Sequence, residues 1–320
     1  MRLLCNTRLM SLSAIQRQSL LSLFFTALTT IVGFLSTMLF SHVLGKDLMG
    51  VYYLFLAYYG IFNMIGDGGF GQAAVKRISE GKEQNAYLTA YACLRGLLII
   101  VSTIILLTLS PFFVDLQDYN LIPLIILALV SAGVFHTITM GVNGLGHVGI
   151  YNVGFGLSEL ARIIIQIVTV LLGFTVYGLI GGYIAGIILS GILCIKYFTF
   201  RPAKFGFRHV KSLFIYGFWI FLISTGSTVF AYADTIFVGY FLTNGDVGIY
   251  RVAFQFTTAA TFITTAIYST LTPKISNWSA NNQWEKIAPP VSRGITFSLI
   301  LAVPVFTGGL LLADKLLYYF

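Results

Sequence analysis

Nine stretches of this 320-residue chain are long and apolar enough to cross a lipid bilayer. They cover residues 20–44, 50–75, 86–113, 121–143, 150–173, 177–197, 213–242, 247–271 and 294–313. A helix of about 20 apolar residues spans the hydrocarbon layer. Inside that layer every backbone N–H and C=O must find a partner within the protein, which leaves helices as the form these segments can take. Charged residues make up 9% of the chain, against about 25% in an ordinary soluble domain. So few charges cannot cover a water-facing surface, which excludes a soluble enzyme, a disordered chain and a nucleic-acid-binding domain. The expected fold class is all-α, a polytopic helical membrane protein of about nine transmembrane helices.

The net charge of +8 comes from 19 Lys+Arg and 11 Asp+Glu. With the N-terminus in the cytoplasm and the spans alternating, 14 of the 19 basic residues fall on the inner side. They include Lys76, Arg77 and Lys82, then Lys196, Arg201, Lys204, Arg208 and Lys211. Lys46 and Lys315 fall outside, and Arg95, Arg162 and Arg251 lie within spans. An excess of Lys and Arg in cytoplasmic loops sets orientation, so the expected location is a cell membrane with the N-terminus inside. Residues 198–212 form a basic linker, read either as a tether or as a contact for anionic lipid headgroups. Cys5, Cys93 and Cys194 are far apart and form no metal-binding or disulfide pattern. No metal or other cofactor is expected.

Gly50-Val51-Tyr52 reappears as Gly248-Ile249-Tyr250, 198 positions later, and Lys76 reappears as Lys274 at the same separation. Six spans separate the copies, so both have the same orientation in the membrane. Parallel repeats of this kind build two-bundle transporters. The expected division is a six-helix bundle at 1–197, the linker at 198–212 and a three-helix partial bundle at 213–320.

Ionisable residues within a bilayer are costly unless they meet a partner or a wet cavity, which makes each a candidate site. Six are present: Asp67, Arg95, Glu159, Arg162, Asp234 and Arg251. Glu159 and Arg162, three apart, share a helix face. They either neutralise one another or set Arg162 into a cavity with Glu159 tuning it. Asp234 needs a partner from another helix or from water, Arg251 being one candidate. Asp67 lies in Gly66-Asp67-Gly68-Gly69-Phe70-Gly71, which imitates a dinucleotide-binding loop but follows an apolar helix instead of a strand; a broken helix segment lining a cavity is the better reading. Arg95 either snorkels to the cytoplasmic interface or joins a cationic vestibule. His42 closes the first span as an interfacial residue. Gly178, Gly182 and Gly186 repeat every fourth position, a close-packing signature whose partner helix can lie in the same chain.

Two stretches resemble the polysaccharide biosynthesis, or Wzx-type oligosaccharide flippase, family of the multidrug/oligosaccharidyl-lipid/polysaccharide exporter superfamily. One runs from Val43-Leu44-Gly45-Lys46-Asp47-Leu48-Met49-Gly50-Val51-Tyr52 on to Asp67-Gly68-Gly69-Phe70-Gly71-Gln72-Ala73-Ala74-Val75-Lys76-Arg77. The other comprises Asp234-Thr235-Ile236-Phe237-Val238-Gly239, Val247-Gly248-Ile249-Tyr250 and Pro273-Lys274-Ile275-Ser276. The resemblance implies a two-bundle, non-enzymatic transporter that moves lipid-linked oligosaccharide by alternating access. Its partners would be a polyprenyl-pyrophosphate-linked glycan, membrane lipids and polysaccharide assembly proteins. Arg162, Arg95 and Arg251 would be the cavity cations that engage phosphate, with Asp234, Glu159 and Asp67 as coupling or gating acids. Where the family often carries a basic residue late in its first helix, this chain has His42. Family members usually carry twelve or fourteen helices, so nine imply an incomplete second bundle and a fragment. The other readings are a multidrug or cation antiporter of the same superfamily and a non-transporting scaffold or remnant.

The charge distribution predicts the topology directly. A cysteine at Lys204 should react with a membrane-impermeant maleimide from the cytoplasmic side alone, and one at Lys46 from the opposite side alone; labelling of Lys204→Cys from outside would invert the assignment.

Overall fold

The computed structural model describes residues 14–113 and 117–319. Arg2, Arg8 and Cys5 lie outside the described residues, as do the side chains of Arg17, Lys274 and Lys315. The described residues form nine α-helices and no strand: α1 Ala14–Asp67, α2 Phe70–Ser79, α3 Gln84–Leu109, α4 Leu121–Gly144, α5 Val148–Leu171, α6 Thr175–Ile195, α7 Phe207–Phe241, α8 Asn244–Ala280 and α9 Ala288–Tyr319. Large side chains face outward along them, Ile223, Phe230 and Leu311 being 74%, 84% and 84% exposed. An apolar exterior on this scale belongs to a lipid-facing protein.

Seven helical segments among the described residues are long and apolar enough to cross a membrane. The first, Leu28–Asp67, has 40 residues, about 60 Å at 1.5 Å per residue and twice the hydrocarbon thickness. It contains most of the expected first and second spans, and it breaks between them at Gly45 (φ 77, ψ 168). The second span ends in another break, at Gly68 (φ 58) and Gly69 (φ 74). Both breaks use left-handed backbone that glycine adopts without steric cost. Helix α8 covers the expected eighth span but is too polar to qualify, since seven threonines and three serines lie between Thr257 and Ser279. Thr257 satisfies its hydroxyl within the helix, Oγ1 donating to the Phe254 carbonyl at 2.6 Å.

The chain divides into two compact units, Met1–Gly248 and Ile249–Phe320. This cut by compactness differs from the expected bundles because α7 packs along α1 and α2. Lys76 Nζ stands 4.0 Å from the centre of the Tyr216 ring. A Cβ on Gly217 would lie 2.8 Å from the Phe70 ring. The basic linker is docked. Arg201 N–H donates to Asn85 Oδ1 (3.3 Å) and Ala203 N–H to Thr89 Oγ1 (3.1 Å). Phe198 and Phe200 pack on the cluster of Phe70, Ala74, Ile78, Leu88 and Leu213. Glu83 pairs with Arg208 and, at 3.2 Å, with His209. Cys194 is buried while Cys93 is exposed on an apolar surface. In the second unit Gly294 lets α9 approach Ile267 of α8, a Cβ there lying 2.9 Å from Ile267 Cγ2.

The two G-x-Y copies meet through their glycines. A Cβ on Gly50 would run into the carbonyl oxygen of Asn244, and one on Gly248 into the carbonyl oxygen of Lys46. Lys46 and Asn244, like Gly50 and Gly248, stand 198 positions apart. The contact is therefore nearly self-complementary, each glycine facing the carbonyl that lies four residues before the other. A capping box starts α8 at this seam. Thr243 N–H and Oγ1 donate to Asp246 Oδ2 (3.0 and 2.6 Å), and Asp246 N–H returns to Thr243 Oγ1 (3.3 Å). The Thr243 bonds hold the exposed Asp246 carboxyl below its ordinary range.

Gly50→Ala should therefore cost about 1–3 kcal/mol through overpacking, whereas Gly33→Ala, with no atom within 4 Å of the new Cβ, should leave stability unchanged or raise it by up to about 1 kcal/mol. Thermal unfolding in detergent measures both; equal melting temperatures would contradict the seam.

Candidate functional site

The sixth-span glycines find their partner in the same chain. Helices α5 and α6 form an antiparallel hairpin turned at Gly173 (φ 89), and Gly178, Gly182 and Gly186 make a groove along α6. Three polar side chains of α5 lie in it. A Cβ would meet Thr169 Oγ1 at 2.7 Å from Gly178, Gln166 Cγ at 2.5 Å from Gly182, and Arg162 Cβ at 3.0 Å from Gly186. The absent side chains of α6 thus make room for the polar side chains of α5.

Gln166 is 1% exposed. Its Nε2 donates to Tyr52 Oη of α1 (2.9 Å) and to the Leu179 carbonyl of α6 (2.7 Å). Its Oε1 accepts from Arg162 Nη1 at 3.3 Å. A buried amide satisfied on three sides is stiff, so Gln166 fixes one edge of the guanidinium. The other edge is held by Glu159, whose Oε2 accepts from Nη2 (2.6 Å) and Nε (3.2 Å). The predicted pair therefore forms. Both members line a cavity of about 270 Å³ with Tyr59, His136, Tyr151 and Tyr183. The Tyr183 ring lies 5.9 Å from the guanidinium carbon and meets Tyr59 edge-on at 5.4 Å. Ligand pockets for drug-sized molecules run from about 300 to 1,000 Å³, so this cavity suits a headgroup and not a whole glycan.

Arg95 does not snorkel. It is 2% exposed, surrounded by α1, α3 and α4. Its Nη1 pairs with Asp67 Oδ1 and donates to Tyr91 Oη at 2.9 Å. Nη2 donates to Asn63 Oδ1 at 3.2 Å and lies 3.5 Å from His136 Nδ1. Asn63 and Asp67 are one turn apart on α1, as are Tyr91 and Arg95 on α3, so two i, i+4 pairs interlock across the helices. Asp67 also accepts the Gly71 N–H at 3.3 Å and so caps α2 across the glycine break. The break is closed by protein: a Cβ on Gly69 would run into the Gly217 carbonyl oxygen. His136 touches Arg95 and lines the cavity, and so connects the two centres.

Asp234, on α7, accepts from Thr235 N–H at 2.6 Å and Thr235 Oγ1 at 3.2 Å and is not among the described residues lining the cavity. Arg251 lies in the second unit with its guanidinium 5.1 Å from the centre of the Phe254 ring. His42 is exposed. Among the described residues no group of three or more His, Cys, Asp or Glu side chains could hold a metal ion. Sequence reasoning missed Gln166, His136, Asn63 and the four tyrosines at positions 52, 59, 91 and 183. Gln166 carried a usable signal, being one turn beyond Arg162 in an apolar span.

The family described as Polysaccharide biosynthesis protein matches residues 16–279. The probable low-salt glycan biosynthesis flippase Agl15 of Haloferax volcanii is 27% identical over 290 residues, covering 89% of this chain and 60% of that protein. The probable flippase AglR of the same organism is 25% identical over 290 residues, covering 90% and 61%. The chain thus spans about three fifths of the length of these relatives. A solved structure of the lipid II flippase MurJ in an inward closed conformation superposes with a TM-score of 0.67 at 17% identity, covering 92% of this chain and 65% of that one, a likeness of fold. With most of its length matched and its helices long, apolar and lipid-facing, the chain is a multi-pass helical membrane protein that belongs to the polysaccharide biosynthesis protein family.

Proposed function

We propose that the protein carrying this chain is a flippase that moves lipid-linked glycan precursors across the cell membrane by alternating access, with its N-terminus in the cytoplasm. The observation that carries the reading is a fixed guanidinium, Arg162, facing a headgroup-sized cavity within a bundle of this family. Arg forms paired, charge-assisted bonds to phosphate oxygens, and a polyprenyl pyrophosphate offers such oxygens next to a chain that the surrounding lipid accommodates. The relatives named as glycan flippases support the same substrate class.

In this reading Arg162 is the primary contact, and Arg95 acts behind His136 without touching substrate. Asp67 holds Arg95 in place. Arg251 is a further candidate cavity cation and Asp234 a candidate coupling acid, and the linker joins the two bundles, residues 1–197 and 213–320. An antiporter needs carboxylates open to a cation or proton, whereas Asp67 and Glu159 are both bound to arginines.

Reconstitution into proteoliposomes with a fluorescent polyprenyl-pyrophosphate-linked sugar, read by quenching from outside, tests the proposal. Arg162→Ala should lower translocation by about ten- to one-hundredfold, the worth of one charge-assisted hydrogen bond, with membrane insertion unchanged. Translocation at the wild-type rate would remove Arg162 from the pathway.

A further inference from the structure

An arginine grips phosphate best along its Nε/Nη2 edge, where two parallel N–H groups meet two oxygens. In Arg162 this edge is taken. Nε and Nη2 both donate to Glu159 Oε2, at 3.2 and 2.6 Å, while the remaining Nη1 is held by Gln166. A phosphate that takes this edge must therefore displace a carboxylate that already fills the same seat.

We infer that Glu159 is an internal stand-in for the substrate's phosphate: it occupies Arg162 when the site is empty, yields to the incoming headgroup, and returns to expel it. This deepens the proposed function and rests on it. Three observations support the exchange. Glu159 belongs to the same helix as Arg162, one turn away, so its carboxylate can swing off by side-chain rotation with α5 unmoved. Its side chain is 28% exposed and lines the same cavity, so it leaves into open space. Arg162 stays behind, because Gln166 and the glycine groove at Gly186 hold it independently of Glu159.

The consequence is an affinity deliberately held down. A transporter must release what it binds, and a competing anion on a tether supplies a high local concentration of competitor. Removing its charge should make the site sticky: tighter binding with slower turnover.

The probe is farnesyl pyrophosphate, with farnesol as the uncharged control, titrated by calorimetry against the purified protein in nanodiscs. Glu159→Gln keeps the shape and an amide oxygen that Arg162 can still reach, so the helix and cavity persist. The expected result is about tenfold tighter binding of farnesyl pyrophosphate by Glu159→Gln, no change for farnesol, and a several-fold fall in the proteoliposome rate. Arg162→Ala should lose pyrophosphate binding, and the double variant should behave as Arg162→Ala. Unchanged or weaker binding by Glu159→Gln, with Arg162→Ala still defective, would overturn the stand-in role and leave the flippase reading intact. Wild-type affinity in Arg162→Ala would overturn both. Tighter binding with an undiminished rate would overturn the expulsion step.

Discussion

The glycine groove of α6 is the constraint on which the cavity depends. Where two membrane helices approach this closely, dispersion contacts and backbone proximity replace the hydrophobic effect as the source of association. Gly178, Gly182 and Gly186 each remove a side chain where α5 presents Thr169, Gln166 or Arg162. Any side chain at Gly182 would compete with Gln166, and Gln166 orients Arg162 and ties the hairpin to Tyr52 of α1. One row of absent side chains thereby sets a charged group at the cavity wall.

The second polar centre follows a different rule. Arg95 is buried against the half-buried Asp67, and burying a charge is favourable only if it is paired and hydrogen-bonded. Tyr91, Asn63 and His136 supply partners to the two terminal nitrogens of Arg95. Loss of Asp67 would strand the buried Arg95, at about 3–5 kcal/mol, so the pair acts as a lock among α1, α3 and α4. His136 carries the effect to the cavity, since the same ring touches the Arg95 guanidinium and faces the space beside Arg162.

Much of the architecture was legible from residues because it depends on local period. The spans follow apolar length, the kink at Gly45 falls where the first two spans were divided, and the break at Gly68–Gly69 falls where a broken helix was expected. The Glu159–Arg162 pair follows from a separation of three on one helix. What could not be read depends on tertiary neighbours. Arg95 looks like an interfacial residue until α1 and α4 cover it, and its link to Asp67 crosses 28 positions of sequence. The G-x-Y repeat was visible as a repeat; that Gly50 and Gly248 face one another needed coordinates. Residues 198–212 looked like a loose tether because their anchors, Asn85 and Thr89, lie more than a hundred positions earlier.

The most direct measurement is an experimental structure of the protein with a polyprenyl-pyrophosphate lipid bound. The account predicts phosphate on the Nε/Nη2 edge of Arg162, Glu159 rotated away, and the Gln166 contacts to Tyr52 and Leu179 intact. A headgroup bound elsewhere, with the Glu159–Arg162 pair undisturbed, would contradict it.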